Sequence, residues 1–227
     1  MSSPFAIWFH ARLTGGSVNT PNATAIMAEQ LATIKASGAW DECNEFVVGC
    51  SQSDLGLVSA LLPKPDKAIF AVHRDDERGE LPTLAHLRAW LPGHPHDYVL
   101  YLHIKCATRF DQLCTNWRRC MMRQLVWNHR HCRNLLDLGH EAVGCHWLTP
   151  EECGAIVRSP FFGGNFWWAR ASFLATLPEL PLSARTREEF YLAESWIGMG
   201  PRRPVVKDLH HQWPNEPGCG HMAQFDA

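Results

Sequence analysis

The densest chemistry in the chain lies at the end of one apolar run, Asp97–Arg109, DYVLYLHIKCATR. His103, Lys105 and Arg109 follow Tyr98-Val99-Leu100-Tyr101-Leu102, with the small residues Cys106 and Ala107 between them. Three nitrogen-bearing side chains so close together suit an anion, most simply a phosphate. A surface lysine beside a core-edge histidine is the plainer alternative. Glu194 is a second candidate. It precedes Ser195-Trp196-Ile197-Gly198, and a carboxylate in such surroundings is either paired with an arginine or kept as a base with a raised pKa. The third is Phe161–Ala169, FFGGNFWWA, where two glycines and Asn165 demand a turn or bulge among crowded aromatics. Trp167 or Trp168 can offer a ring face to a sugar, and Asn165 both donors and acceptors. The plainer reading is a packed aromatic core, which Phe162 and Phe166 serve. Arg118 and Arg119, beside Trp117, are either a solvated face or a reach toward phosphate.

Composition narrows the classes. The 227 residues suit one generous domain, with 46% hydrophobic and 19% charged residues as in an ordinary globular protein. Twenty-one basic against 23 acidic side chains leave a formal charge of −2, so nothing draws the chain toward nucleic acid or a membrane surface. No apolar stretch approaches the roughly 18 residues of a transmembrane helix. The nine cysteines, at 43, 50, 106, 114, 120, 132, 145, 153 and 219, are odd in number, lack a CxxC and follow no secretory leader, so free thiols in a cytoplasmic setting are expected. Thirteen histidines raise a zinc reading through His129-x-His131-Cys132 or His94-x-His96, but neither spacing has a second ligand pair. No metal is assigned.

These residues need a scaffold. Strands are expected over 5–10, 45–50, 68–72, 98–103, 142–147 and 205–211. Helices are expected over 23–37 with Asn22 as cap, 55–62, 83–90 behind Pro82, 115–138 and 187–197. Strands alternating with helices argue a βαβ architecture around a largely parallel sheet, whose ligand crevice lies outside the carboxyl ends of the strands. The run 98–102 has no polar alternation, as befits a strand covered on both faces. There is no GxGxxG and no GxxxxGK[ST], which argues against a dinucleotide fold or a P-loop.

The order of motifs resembles GT-A-type glycosyltransferase-like proteins that lack the Asp-x-Asp motif, distantly similar to rhamnan-synthesis-type transferases. The matching segments are Glu29-Gln30-Leu31 with Ser37-Gly38, Glu80-Leu81-Pro82-Thr83-Leu84, Tyr101-Leu102-His103-Ile104-Lys105, Asn116-Trp117-Arg118-Arg119-Cys120-Met121, Phe162–Ala169 and Arg187…Glu194-Ser195-Trp196-Ile197-Gly198. They span roughly residues 5–200. The chain departs from the pattern at Phe161-Phe162-Gly163-Gly164-Asn165, where His-Phe-Ser-Gly-Asn is usual, and at Lys105-Cys106, where Lys-Gly is usual.

The resemblance implies an α/β, GT-A-like (nucleotide-diphospho-sugar transferase) three-layer sandwich with a mostly parallel central sheet. One domain would cover 1–227, with a nucleotide-binding half to about 110, an acceptor-side half to about 213 and a tail. It further implies a glycosyltransferase moving a sugar from a nucleotide-sugar donor to a glycan or other hydroxyl acceptor. Where such folds place Asp-x-Asp and a divalent ion, this chain has His103-Ile104-Lys105. Lys105 would then carry the positive charge for the diphosphate, joined by His103, Arg109, Arg118 and His210, with no cofactor required. Glu194 would be the general base in an inverting displacement. His10, Arg74, Asp75 and Thr83 would meet the nucleotide, and Asn165, Trp167 and Trp168 the sugars. The alternatives are a non-catalytic nucleotide or sugar binder that keeps the fold, a Mn²⁺- or Mg²⁺-dependent transferase using Asp75 and Asp76, and a zinc hydrolase built from the histidines.

Overall fold

The computed structural model describes residues 4–15, 18–76, 79–94, 98–107, 111–153, 159–181 and 187–211. Strand β1 (Phe5–Ala11) leads to helix α1 (Thr20–Ala36), the single turn α2 (Ala39–Glu42) and strand β2 (Glu45–Ser51). Helix α3 (Leu55–Leu61), strand β3 (Ala68–His73), helix α4 (Leu81–Trp90) and strand β4 (Tyr98–His103) follow. The second half carries α5 (Gln112–Met122), α6 (His129–Asp137), β5 (Ala142–Gly144), β6 (Trp147–Leu148), α7 (Pro150–Cys153), β7 (Phe161–Phe162), β8 (Trp167–Arg170), α8 (Ala171–Leu174), α9 (Arg187–Ser195) and β9 (Val206–Asp208).

Seven strands form one sheet in the order β3-β2-β1-β4-β8-β5-β9. Neighbours from β3 to β4 are parallel, β8 runs against both β4 and β5, and β9 is parallel to β5. The sheet is therefore mostly parallel, with β8 as its reversed strand. Alternation along the central strands divides the core. Phe5, Ile7, Phe9, Leu100 and Leu102 pack with Met27, Trp40, Val58 and Leu135 on one face. Ala6, Trp8, Val99 and Tyr101 pack with Leu84, Phe173 and Ala193 on the other. A sheet covered on both sides needs apolar residues at every position of its inner strands, which is why β1 and β4 show no polar alternation. The expected three-layer α/β sandwich is present.

The structure corrects several boundaries. Asn19, not Asn22, caps α1: its Oδ1 accepts the Asn22 N–H at 3.0 Å, and a proline lies in the first turn. The single helix expected over 115–138 is broken by a wide π turn, Arg123–Trp127, between α5 and α6. Two carbonyls in that turn take side-chain partners: Trp168 Nε1 donates to Leu125 O at 2.8 Å and His129 Nδ1 to Val126 O at 3.0 Å. Helical periodicity does not reveal such a turn, because its partners are distant in sequence. Strands β5 and β9 are shorter than expected. The described cysteines 43, 50, 106, 114, 120, 132 and 145 are free thiols. Burial pushes those of Cys50 and Cys132 up to about 12. Among the described residues, no helix is long and apolar enough to cross a membrane.

Candidate functional site

Strand β4 ends at the carboxyl edge of the sheet, and two other elements, α1 and β1, fix its exit. Gln30 of α1 donates to His103 O at 3.0 Å, and Ile104 N–H to His10 O of β1 at 3.2 Å. Asn22 Nδ2 reaches Cys106 O and Ala107 O at 3.3 Å each. Cys106 adopts φ 68°, in the left-handed region that a non-glycine residue enters at a cost. Held in this way, Lys105 places its ammonium 4.4 Å from the centre of the Trp117 ring. The indole face attracts the cation while leaving its donors to other acceptors.

Beside Lys105 stands Glu80, to which sequence reasoning gave no role. It immediately precedes α4, and its carboxyl reaches in under the end of β4. Oε2 accepts the Tyr101 hydroxyl at 3.0 Å and Asn165 Nδ2 at 2.8 Å, and Oε1 lies 3.6 Å from His103 Nδ1. Burial pushes the Glu80 carboxyl up to about 7, against the lowering pull of Tyr101, Lys105 and Asn165. His103 is driven the other way. Burial and the charge of Lys105 push it down to about 3, while its Nε2 bonds Gly164 O at 2.8 Å. Glu194 of α9 is near enough for its charge to act on His103. The available signal for Glu80 was a carboxylate directly before the proline-marked start of an apolar helix.

The nucleotide-side candidates lie along the ends of β1 to β3. His10 Nδ1 and the buried Thr83 Oγ1 are 2.7 Å apart, and the His10 ring stacks on His73 with centroids 6.1 Å apart. Burial, then the charges of His103, His73 and Arg12, push His10 well below its ordinary value. Asp75 Oδ1 accepts the Ser53 N–H at 2.8 Å, and the exposed Arg74 pairs with Asp76 at 2.9 Å.

The remaining candidates divide. His210 approaches the site through a file of rings: its imidazole meets His146 edge-on at 5.3 Å, and His146 meets Trp117 at 5.9 Å. Arg118 is 4% exposed and pairs at 3.1 Å with Glu29 of α1, a carboxylate it shares with Arg119. Arg109 lies outside the described residues. The expectation that Asn165, Trp167 and Trp168 face a sugar is corrected by their burial, at 1%, 0% and 0% exposure. Trp167 stacks on Tyr101 at 5.0 Å, and Trp168 lies on the other face of the sheet with its indole N–H taken by Leu125 O. Asn165 is saturated. Its amide donates to Glu80 and to Ala193 O at 3.3 Å, and its carbonyl accepts Trp167 Nε1 at 2.9 Å. Its function here is to hold Glu80.

Three non-glycine residues have positive φ among those described: Cys106, His146 at 58° and Asn165 at 54°. All three border the Lys105–Trp117–Glu80 region, and strain of this kind gathers at sites where geometry is over-determined. Among the described residues, no three His, Cys, Asp or Glu side chains converge as metal ligands.

The fold and this edge together define a three-layer α/β sandwich with a cation, two carboxyls and histidines at the carboxyl end of its central strand. The chain belongs to the family described as a domain of unknown function (DUF8361), whose model matches residues 10–218. No curated protein matches it. Among solved structures, the 4-diphosphocytidyl-2C-methyl-D-erythritol synthase of Anaerococcus prevotii is similar with a TM-score of 0.51 at 13% identity, over 98% of this chain and 96% of that one. HddC of Yersinia pseudotuberculosis is similar with a TM-score of 0.50 at 8% identity, over 90% and 89%. At such identities the likeness concerns the fold.

Proposed function

We propose that this chain is a transferase acting on a nucleotide-activated sugar. It takes the sugar from its diphosphate carrier and passes it to an acceptor hydroxyl without a divalent metal. The observation that carries the reading is Lys105, fixed at the end of the central strand over Trp117, beside the Glu80 carboxyl. In this scheme the ammonium neutralises the diphosphate as the bond to the sugar breaks and the electron pair leaves with the phosphate oxygen. Glu194 takes the proton of the attacking hydroxyl. The nucleoside lies toward His10 and Thr83, with the Arg74–Asp76 loop at its rim.

A second reading, transfer of a nucleotidyl group onto a sugar phosphate, draws support from the name of the Anaerococcus synthase, a 4-diphosphocytidyl-2C-methyl-D-erythritol synthase. Both readings need the same anion site and differ in the bond that breaks.

The test is a thermal-shift and calorimetric panel of nucleotide-sugars, nucleoside diphosphates and nucleoside triphosphates, with EDTA and with Mn²⁺, on wild type and Lys105→Ala. A ligand of the native state raises the melting temperature as ln(1 + [L]/Kd). Stabilisation in EDTA that is lost in Lys105→Ala is the expected result. Stabilisation only with Mn²⁺ would sink the metal-free reading and move the diphosphate to Asp75 and Asp76. Pyrophosphate release from a triphosphate and a sugar phosphate would favour nucleotidyl transfer.

A further inference from the structure

The hydrogen bonds around His103 and Glu80 constrain where a proton can be. Gly164 O only accepts, so at 2.8 Å His103 Nε2 carries its hydrogen. A neutral His103 therefore turns the lone pair of Nδ1 toward Glu80 Oε1, 3.6 Å away. On the same carboxyl, Oε2 already receives two donors, Tyr101 and Asn165. Were Glu80 ionised and His103 neutral, two lone-pair atoms would face each other in a buried space. One proton resolves the conflict. On Nδ1 it makes an ion pair, and on Oε1 it makes an uncharged pair.

We propose that the facing pair of Glu80 Oε1 and His103 Nδ1, 3.6 Å apart, carries one proton, and that a nucleoside diphosphate at Lys105 binds to this protonated pair. The inference rests on the nucleotide reading above. Burial decides which atom carries the proton, because it penalises both charges of an ion pair. It pushes His103 down to about 3 and Glu80 up to about 7, which places the proton on Glu80. The surrounding charges divide, and burial outweighs those that oppose it. Lys105 of the β4 exit is the cation that favours an ionised Glu80, and it also disfavours a charged His103. Tyr101 of β4 donates to Glu80, Glu194 of α9 acts on His103, and His10 of β1 faces His103 across the strand pair. A diphosphate at Lys105 would neutralise a cation that helps Glu80 ionise and add negative charge beside it. Binding and proton retention are thus linked, and each strengthens the other by the same factor. The sign follows. Below about pH 7 the proton is already in place, and above it the free protein must take one up before the anion binds well.

Two measurements on the full chain test this. The first needs no ligand: ¹³C-carboxyl-labelled glutamate is followed by NMR from pH 4 to 9 in wild type and Glu80→Gln. One resonance titrating near neutrality and missing from the variant is expected. A Glu80 resonance that titrates in the ordinary carboxylate range would overturn the shared proton. The second is isothermal titration with UDP, CDP, GDP and ADP at pH 6 to 9 in buffers of differing ionisation heat. Affinity should fall up to tenfold per pH unit above neutrality, with uptake approaching one proton per ligand. Glu80→Gln should bind with neither dependence. Binding without proton uptake would overturn the linkage while leaving the nucleotide reading intact. No binding at any pH would sink the nucleotide reading and the linkage together, and the NMR titration would still decide the shared proton.

Discussion

Thr83 of α4 occupies the space that a side chain on Gly49 of β2 would need: a Cβ there would stand 2.1 Å from Thr83 Oγ1 and 2.7 Å from Thr83 Cβ. The helix therefore closes on the sheet over a glycine, and this closeness brings the threonine hydroxyl to His10 Nδ1 at 2.7 Å. Neither partner can give way cheaply, since the contact is at the stem of a β-branched side chain. Gly49→Ala should cost about 3 kcal/mol in urea unfolding, at the upper end of overpacking penalties. A variant with an unchanged midpoint would show that α4 does not rest on β2 here.

Asn165 combines a left-handed backbone with an amide that serves Glu80, Ala193 and Trp167. Two substitutions separate these contributions. Asn165→Ala loses the amide and keeps the backbone cost, for a total of about 3 kcal/mol. Asn165→Gly loses the amide but relaxes the backbone, and should recover about 1 kcal/mol of that. Equal losses in chemical denaturation would mean that the positive φ carries no penalty.

Glu80 makes stability depend on pH in a direction opposite to that of most carboxylates. Its folded value, about 7, lies above its ordinary 4.5, so the native state holds a proton that the unfolded chain releases. The resulting stabilisation is complete below 4.5 and is lost as pH rises to about 7. At roughly 1.4 kcal/mol per unit, the upper bound is about 3.5 kcal/mol. Glu80→Gln cannot ionise, so stability against urea should fall less between pH 5 and 8 in the variant than in wild type. Parallel curves would contradict a raised carboxyl.

Glu42, at the end of α2, shows the common sign. It accepts Arg130 Nε at 3.0 Å, His129 Nε2 at 3.1 Å and Arg133 Nη1 at 3.4 Å, all from α6. The Arg130 hydrogen bond leads in lowering its pKa from 4.5. The stabilisation is present above 4.5 and disappears as pH falls below it. Because the carboxyl is partly exposed, Glu42→Gln should cost about 1–2 kcal/mol at pH 7. The two proteins should converge in acid, and a difference that persists at pH 3 would argue against an ionic origin.

Much of the scaffold was legible because its signals are local. The apolar runs of β1, β2, β3 and β4, the Pro82 start of α4 and the alternation of strand with helix follow from the period of neighbouring residues, and they led to the mostly parallel sandwich. The π turn escaped notice because Trp168, forty-three positions from Leu125, takes one of its carbonyls. Asn19's cap is local, but what occupies the Asn22 amide is not: it is used on the β4 exit, 84 and 85 positions away.

For the site, the sequence by itself determined that a histidine and a lysine emerge from a buried central strand, which only requires counting along one run. Which side chains meet them was decided by the tertiary structure. Glu80 reaches His103 from 23 residues away, Trp117 takes the cation of Lys105 from another helix, and Asn165 crosses from the β7–β8 turn to hold Glu80. Trp167 and Trp168 illustrate the same limit from the other side. Their type suits a sugar-facing wall, but adjacent residues in a strand point to opposite faces, and here both faces are covered by helices. Residue type sets what a group can do, while burial and the neighbours brought by the fold set its protonation and its partners.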